Sequence, residues 1–131
     1  MTDGKATPPS PAGPSILLVC GDLLVTSRVA GAAAAGGVRL ASCARVDRPP
    51  ADGGYDVVIL DLQAGDPAAA VTAARSLVGG PGRGRVVVFG PHVADGLFAR
   101  ALAAGADEAI ARGELLGGFA TLAARWGSPS A

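Results

Sequence analysis

The chain has 131 residues, half of them apolar and 17% charged, with 11 basic and 11 acidic side chains. That is the length of one domain, with ample material for a core, and its zero formal charge leaves no electrostatic footprint for nucleic acid or an anionic membrane. No apolar run approaches transmembrane length, the N-terminus lacks the apolar segment of a secretory signal, and two cysteines are too few for a disulfide framework.

The expectation is therefore a cytoplasmic protein with no nucleic-acid or membrane partner. The small basic cluster Arg83-Gly84-Arg85 does not change it. The Ala, Gly, Arg and Pro bias matches a GC-rich bacterial genome.

Residues 1–15 are rich in Pro, Ser, Gly and Thr without periodicity and are expected to be a disordered tail. The folded domain is expected over 16–127, with a frayed end at 128–131. Ile16 to Cys20 is a short apolar run and reads as a strand. Leu23 to Ala35 is Ala-rich and helix-prone, preceded by Asp22 as a candidate N-cap and closed by Gly36-Gly37. Val38 to Cys43 is a second strand. Asp47 to Gly54 carries Pro49-Pro50 and Gly53-Gly54 and reads as a loop. Asp56 to Asp61 is a third strand. Asp66-Pro67 opens a helix as cap and first turn, with Val71, Ala74 and Val78 expected on one face. Gly79 to Gly84 is a breaker-rich turn. Arg85 to Phe89 is a fourth, fully buried strand, Ala94 to Ala104 a helix ending at Gly105, and Glu108 to Ala111 a short fifth strand. Leu115, Phe119, Leu122 and Trp126 recur at helical spacing and mark the last helix.

Strands alternating with helices through short links imply a doubly wound α/β domain with a parallel sheet. The link between the second and third strands is too short and too rich in Pro for a full crossover helix. At most one turn of helix is expected there.

Within this pattern Asp61 is the most informative residue. It ends the run Val57-Val58-Ile59-Leu60, which is β-branched at three of four positions and reads as a strand covered on both faces. A carboxylate at the carboxyl end of such a strand lies on the edge where open α/β sheets place their ligands.

Three segments carry a resemblance to a known family. Ile16-Leu17-Leu18-Val19-Cys20-Gly21-Asp22 looks like a first strand with its acidic loop. Tyr55-Asp56-Val57-Val58-Ile59-Leu60-Asp61-Leu62 looks like a strand ending in a phosphate-accepting aspartate. Ala103-Ala104-Gly105-Ala106-Asp107-Glu108-Ala109-Ile110-Ala111-Arg112 looks like the run into a fifth strand. Together they resemble the receiver domain of bacterial response regulators, from about Ile16 to Trp126. The resemblance implies a flavodoxin-like (CheY-like) doubly wound five-stranded parallel sheet of order 2-1-3-4-5, with the second crossover helix shortened or missing.

By the same resemblance Asp61 is the phosphoacceptor candidate, and Cys20, Gly21, Asp22, Gly90, His92 and Arg112 line the site. In active receivers two acids after the first strand help to hold magnesium. Cys20 and Gly21 stand at those positions, with Asp22 one place further on. Gly90 stands where a Thr or Ser contacts the phosphoryl group. Arg112 and Gly113 stand where Lys and Pro follow the fifth strand. Asp61, with Asp22, makes a weak magnesium site, because magnesium wants near-octahedral oxygen ligands including carboxylates. Gly90 has no hydroxyl, and the planar fork of Arg112 is not a lysine's point charge. Phosphoryl transfer depends mainly on positioning and charge stabilisation, so the pattern is that of a pseudo-receiver.

Several residues carry a plainer reading beside the functional one. Asp61 can be an inherited carboxylate paired with Arg112 or with loop amides. Asp22 can cap the first helix, and His92 can be a solvated loop residue. Cys20 and Cys43 end neighbouring strands, which allows either a redox pair or two small buried side chains. Leu97, Phe98 and Leu102 spread around the penultimate helix, on the surface that the resemblance makes a partner or dimer face. An exposed Phe98 would be an anchor there.

Three functional readings follow. The first is a stand-alone pseudo-receiver of a two-component or phosphorelay type, with no output domain of its own. It is not an enzyme and holds no certain cofactor. It acts by contact with a protein partner (a histidine kinase or output protein) or as a homodimer. The second is a phosphorylation-dependent switch that uses Asp61. The third is a small-ligand-binding flavodoxin-like module, against which Val19-Cys20-Gly21-Asp22-Leu23-Leu24 offers only one glycine for a phosphate cradle. No Ser, Cys or His combination has the context of a hydrolase.

Overall fold

The computed structural model describes residues 15–50, 54–62, 66–78, 84–91 and 95–127. The expected tail and the frayed C-terminus lie outside the described residues, apart from Ser15, which opens the first strand. Five strands, β1 (Ser15–Val19), β2 (Arg39–Cys43), β3 (Val57–Asp61), β4 (Arg85–Gly90) and β5 (Glu108–Ala111), form one parallel sheet of order β2-β1-β3-β4-β5. The helices among the described residues are α1 (Leu23–Gly36), α2 (Pro67–Arg75), α3 (Asp95–Ala103) and α4 (Arg112–Gly127). This is the expected flavodoxin-like architecture.

The two-residue period of a strand sends alternate side chains to opposite faces, and here both faces are covered. Ile16, Leu18, Val57, Ile59, Val87, Phe89 and Ile110 meet Val25, Val29 and Ala33 of α1 and Leu115, Phe119, Leu122 and Trp126 of α4. Leu17, Val19, Val58, Leu60, Val86 and Val88 meet Val71 and Ala74 of α2 and Ala101 of α3. Burying each large apolar side chain contributes about 1.5–3 kcal/mol, and these two layers explain why β1, β3 and β4 are nearly unbroken apolar runs.

Local signals set the element ends. Asp22 caps α1, and Gly37, at φ 70°, closes it in the left-handed conformation. There the Val38 amide reaches the Ala33 carbonyl at 2.9 Å. Asp66 caps α2 through the Ala69 amide at 2.9 Å, with Pro67 in the first turn. The helix then stops earlier than the apolar spacing suggested. Its last residue is Arg75, and Val78 enters the core through a parallel bridge to Tyr55. The Ser76 hydroxyl bonds the Ala73 carbonyl at 2.7 Å and so satisfies the helix end at that point. In α4, Gly118 leaves helical geometry (φ −133°, ψ 22°), so the last helix is kinked at the Gly117-Gly118 pair.

The connection from β2 to β3 holds no helix among the described residues, only a turn closed by the Arg48 amide on the Arg45 carbonyl at 3.1 Å. A groove of about 440 Å³ lies between this connection and α2, with Val46, Ala70 and Ala73 along it and the Arg45–Asp47 ion pair at its rim. No helix among the described residues is long and apolar enough to cross a membrane.

Candidate functional site

The site lies where β1 and β3 end side by side. Val19 is in register with Leu60, so Cys20 and Asp61 sit one step further on, at the carboxyl edge of the sheet. Leu60 faces the α2/α3 layer, so alternation turns Asp61 the other way, towards the α1 side where Cys20 packs. Asp61 is 8% exposed and is the buried charged side chain among the described residues.

The Cys20 thiol donates to Oδ2 of Asp61 across 3.4 Å. On its other side the sulfur accepts the Asp22 amide at 3.4 Å. Burial pushes the Cys20 thiol above its ordinary value. A contact with the Asp22 backbone opposes this, while the Asp61 hydrogen bond and the charges of Asp61 and Asp22 add to it. The group beside Asp61 at neutral pH is therefore a protonated thiol, a neutral donor rather than a thiolate nucleophile.

The Asp22 carboxylate is occupied elsewhere. Its Oδ1 accepts the amides of Leu24 at 2.9 Å and Val25 at 3.3 Å, which is the N-cap of α1. Its carbonyl accepts the Thr26 amide and hydroxyl, both at 3.0 Å. Gly21 is exposed, with open space where a Cβ would stand.

Gly90 ends β4, is buried and pairs with Ala111. A Cβ there would lie 3.7 Å from both Leu62 Cβ and Phe98 Cε1, so among the described residues the space it would enter is lined by apolar carbon. Arg112 opens α4 directly after β5 and is half-buried. Register thus brings Asp61, Gly90 and Arg112 to one edge of three neighbouring strands. His92 lies outside the described residues.

Leu97 and Phe98 are half-buried against the α2/α3 layer, and the Phe98 ring edge is turned towards Gly90. Phe98 is thus half-buried rather than exposed. Of the three candidate partner-face residues, Leu102 is the exposed one, at 46%. Two apolar residues that the sequence reading left unremarked stand out more: Leu23 and Leu24, 82% and 77% exposed, at the start of α1 beside Asp22. Their place directly before Val25, off the i, i+4 spacing that Val25, Val29 and Ala33 share, was the available signal.

The two cysteines are free and belong to opposite layers, Cys20 with α1 and α4, Cys43 against α2 and α3. β1 and β2 are neighbours as expected, but Val19 is the residue in register with Cys43. Cys20 is one residue further and on the other face, and the Cys43 sulfur contacts the Arg45 carbonyl at 3.2 Å.

These residues do not fit a magnesium ion. Among the described residues no three His, Cys, Asp or Glu side chains converge. The second carboxylate caps a helix, and a thiol is too soft and too protonated to replace an oxygen ligand.

No protein-family model and no curated protein matches the chain. Solved structures do. The receiver domain of a sensor histidine kinase from Pseudomonas aeruginosa, with magnesium coordinated in its active-site cleft, superposes with a TM-score of 0.65 at 18% identity, covering 88% of this chain and 98% of that one. A two-component response regulator from Clostridium difficile gives 0.67 at 18% identity, over 86% and 96% of the two chains. A streptococcal protein, from a family of redox sensors evolved from two-component response regulators, gives 0.69 at 12% identity, over 88% and 51%. Strand order and layer arrangement agree with this likeness: the chain has the fold of a response-regulator receiver domain.

Proposed function

We propose that this chain is a pseudo-receiver, a cytoplasmic two-component-type signalling module that acts by protein contact and does not depend on phosphorylation of Asp61. The observation that carries this reading is the pairing around the aspartate. The Cys20 thiol faces Oδ2 of Asp61, and the carboxylate of Asp22 is spent on the amides of Leu24 and Val25. A phosphoacceptor needs charge stabilisation of the transferred group. Apolar carbon around Gly90 and a neutral thiol beside Asp61 supply little of it.

In this reading the partner is a protein, either a histidine kinase, an output protein or a second copy of the chain. Neither nucleic acid nor membrane is involved, and the module is not an enzyme. The balanced charge of the chain supports a contact made through shape and apolar side chains such as Leu23, Leu24 and Leu102.

The test is a set of backbone amide NMR spectra with and without magnesium plus beryllofluoride, a phosphoryl mimic, with Asp61→Asn as control. Unchanged spectra at millimolar magnesium are expected. Saturable shifts around Asp61, Gly90 and Arg112 that vanish in Asp61→Asn would instead establish a phosphorylation switch.

A further inference from the structure

We propose that the first part of α4, Arg112 to Gly117, opens locally as a unit of its own, with Gly117-Gly118 as its hinge, while the rest of the helix stays closed. The inference goes beyond the reading of Asp61 and holds whether or not that aspartate takes a phosphoryl group. Gly118 leaves helical geometry at φ −133° and ψ 22°, between two stretches of α4. Neither glycine of the pair lies in the left-handed region that calls for this residue. A Cβ at Gly117 or at Gly118 would meet nothing within 4 Å. Packing on either side sets the bend, yet neither the backbone angle nor a neighbour requires glycine at these positions. What the pair supplies is backbone freedom. Glycine in a helix interior is disfavoured against alanine by a factor of about five per residue.

The two stretches are held unequally. Arg112 to Gly118 contains three glycines, Gly113 among them, whereas Phe119 to Trp126 contains none. The first stretch places one buried side chain in the core, Leu115, with Leu116 partly packed against it. The second places Phe119, Leu122, Ala123 and Trp126 there. It is also clasped to the start of β5, because Glu108 accepts Trp126 Nε1 at 3.1 Å and pairs with Arg125. Local openings begin where buried apolar contacts are few. An opening of Arg112 to Gly117 changes the surface at the carboxyl edge of β5, where Gly90 pairs with Ala111, and leaves the core from Phe119 onward intact.

Native-state amide exchange of the full chain, followed by NMR at low urea concentrations, tests this on the wild type, Gly117→Ala/Gly118→Ala and Gly31→Ala. In the wild type the Leu116 amide is expected to exchange at least about a hundredfold faster, relative to its intrinsic rate, than those of Leu122 to Trp126. It should also respond little to urea, since a local opening exposes little surface. The double alanine variant is expected to slow Leu116 at least about tenfold, from two residues at about fivefold each. Gly31→Ala serves as the control. It sits inside α1, exposed and with the same open space at its Cβ, so it stabilises the whole domain without touching the hinge. The Leu116 rate should not change in it, because α1 stays folded during the opening. A wild-type profile with no step at Gly118 overturns the proposal without recourse to any variant. So does a Leu116 rate that the double variant leaves unchanged, or one that Gly31→Ala slows as much as it slows Leu122 to Trp126. Each of these results leaves the pseudo-receiver reading in place.

Discussion

Oδ1 of Asp22 accepts the amide of Leu24 at 2.9 Å, so this carboxylate belongs to the helix rather than to Asp61. An N-cap carboxylate of this kind is worth about 1 kcal/mol, and asparagine replaces it with little loss. Asp22→Ala should therefore lower the free energy of unfolding in urea by about 1 kcal/mol, while Asp22→Asn stays within a few tenths of the wild type. Neither change should alter manganese binding. A stable Asp22→Ala with altered manganese binding would move Asp22 into the site.

The two thiols give the chain an alkaline limit. Both are raised above the ordinary value of 9.0, with burial as the largest cause. Contacts with backbone at Asp22 and Arg45 oppose the rise, and nearby aspartates add to it. In the unfolded chain the thiols lose their protons first, so above pH 9.0 the native state binds more protons than the unfolded state. Stability from this source is complete below that pH and declines as pH climbs through the folded values. The melting temperature of the wild type should fall more steeply above pH 9.0 than that of a Cys20→Ala/Cys43→Ala variant. Parallel curves would show that folding leaves the thiols as they are in the unfolded chain.

Gly84 marks a different constraint. A Cβ at this position would stand 2.3 Å from Val78 Cβ and 2.9 Å from Val78 Cγ2, on the side of the sheet where Val78 bridges Tyr55. The neighbour is a stiff β-branched side chain, so the clash falls on the backbone leading into β4. Gly84→Ala should destabilise the protein by about 1–3 kcal/mol, the range for overpacking. The combination with Val78→Ala should recover part of that loss. A Gly84→Ala midpoint equal to the wild type's would sink this account.

The sequence was a good guide wherever a signal was local or periodic. The buried runs of β1, β3 and β4, the caps at Asp22 and Asp66, the stop at Gly37 and the helical spacing of Leu115, Phe119, Leu122 and Trp126 all sit where neighbours in the chain dictate. The prolines at 49 and 50 announced a connection with no helix among its described residues. Contacts between distant segments were not legible. Nothing adjacent to Cys20 says that its thiol meets Asp61, 41 positions away. The same holds for Asp107, whose Oδ2 takes both the Val86 amide at 2.8 Å and Arg75 Nη1 at 2.6 Å, tying α2 and β4 to the start of β5. The kink at Gly118 and the inward turn of Phe98 likewise depend on what packs against them.

The bare connection after β2 also bears on how the fold comes apart. β2 hydrogen-bonds only to β1 within the sheet, and none of its residues is buried, whereas every residue of β3 is. With no helix following it among the described residues, β2 is held by one ladder, by part of α1 and by the partial packing of Ala41 and Cys43 against the second layer. Elements with few buried apolar contacts open first in native-state exchange. The amides of Arg39 to Cys43 should therefore trade hydrogen for deuterium well before those of Val57 to Asp61, through an opening that frees the Cys43 carbonyl from the amide of Cys20. Fraying at the rim of the sheet would in this way loosen the anchor of the thiol beside Asp61 while the central strands stay closed.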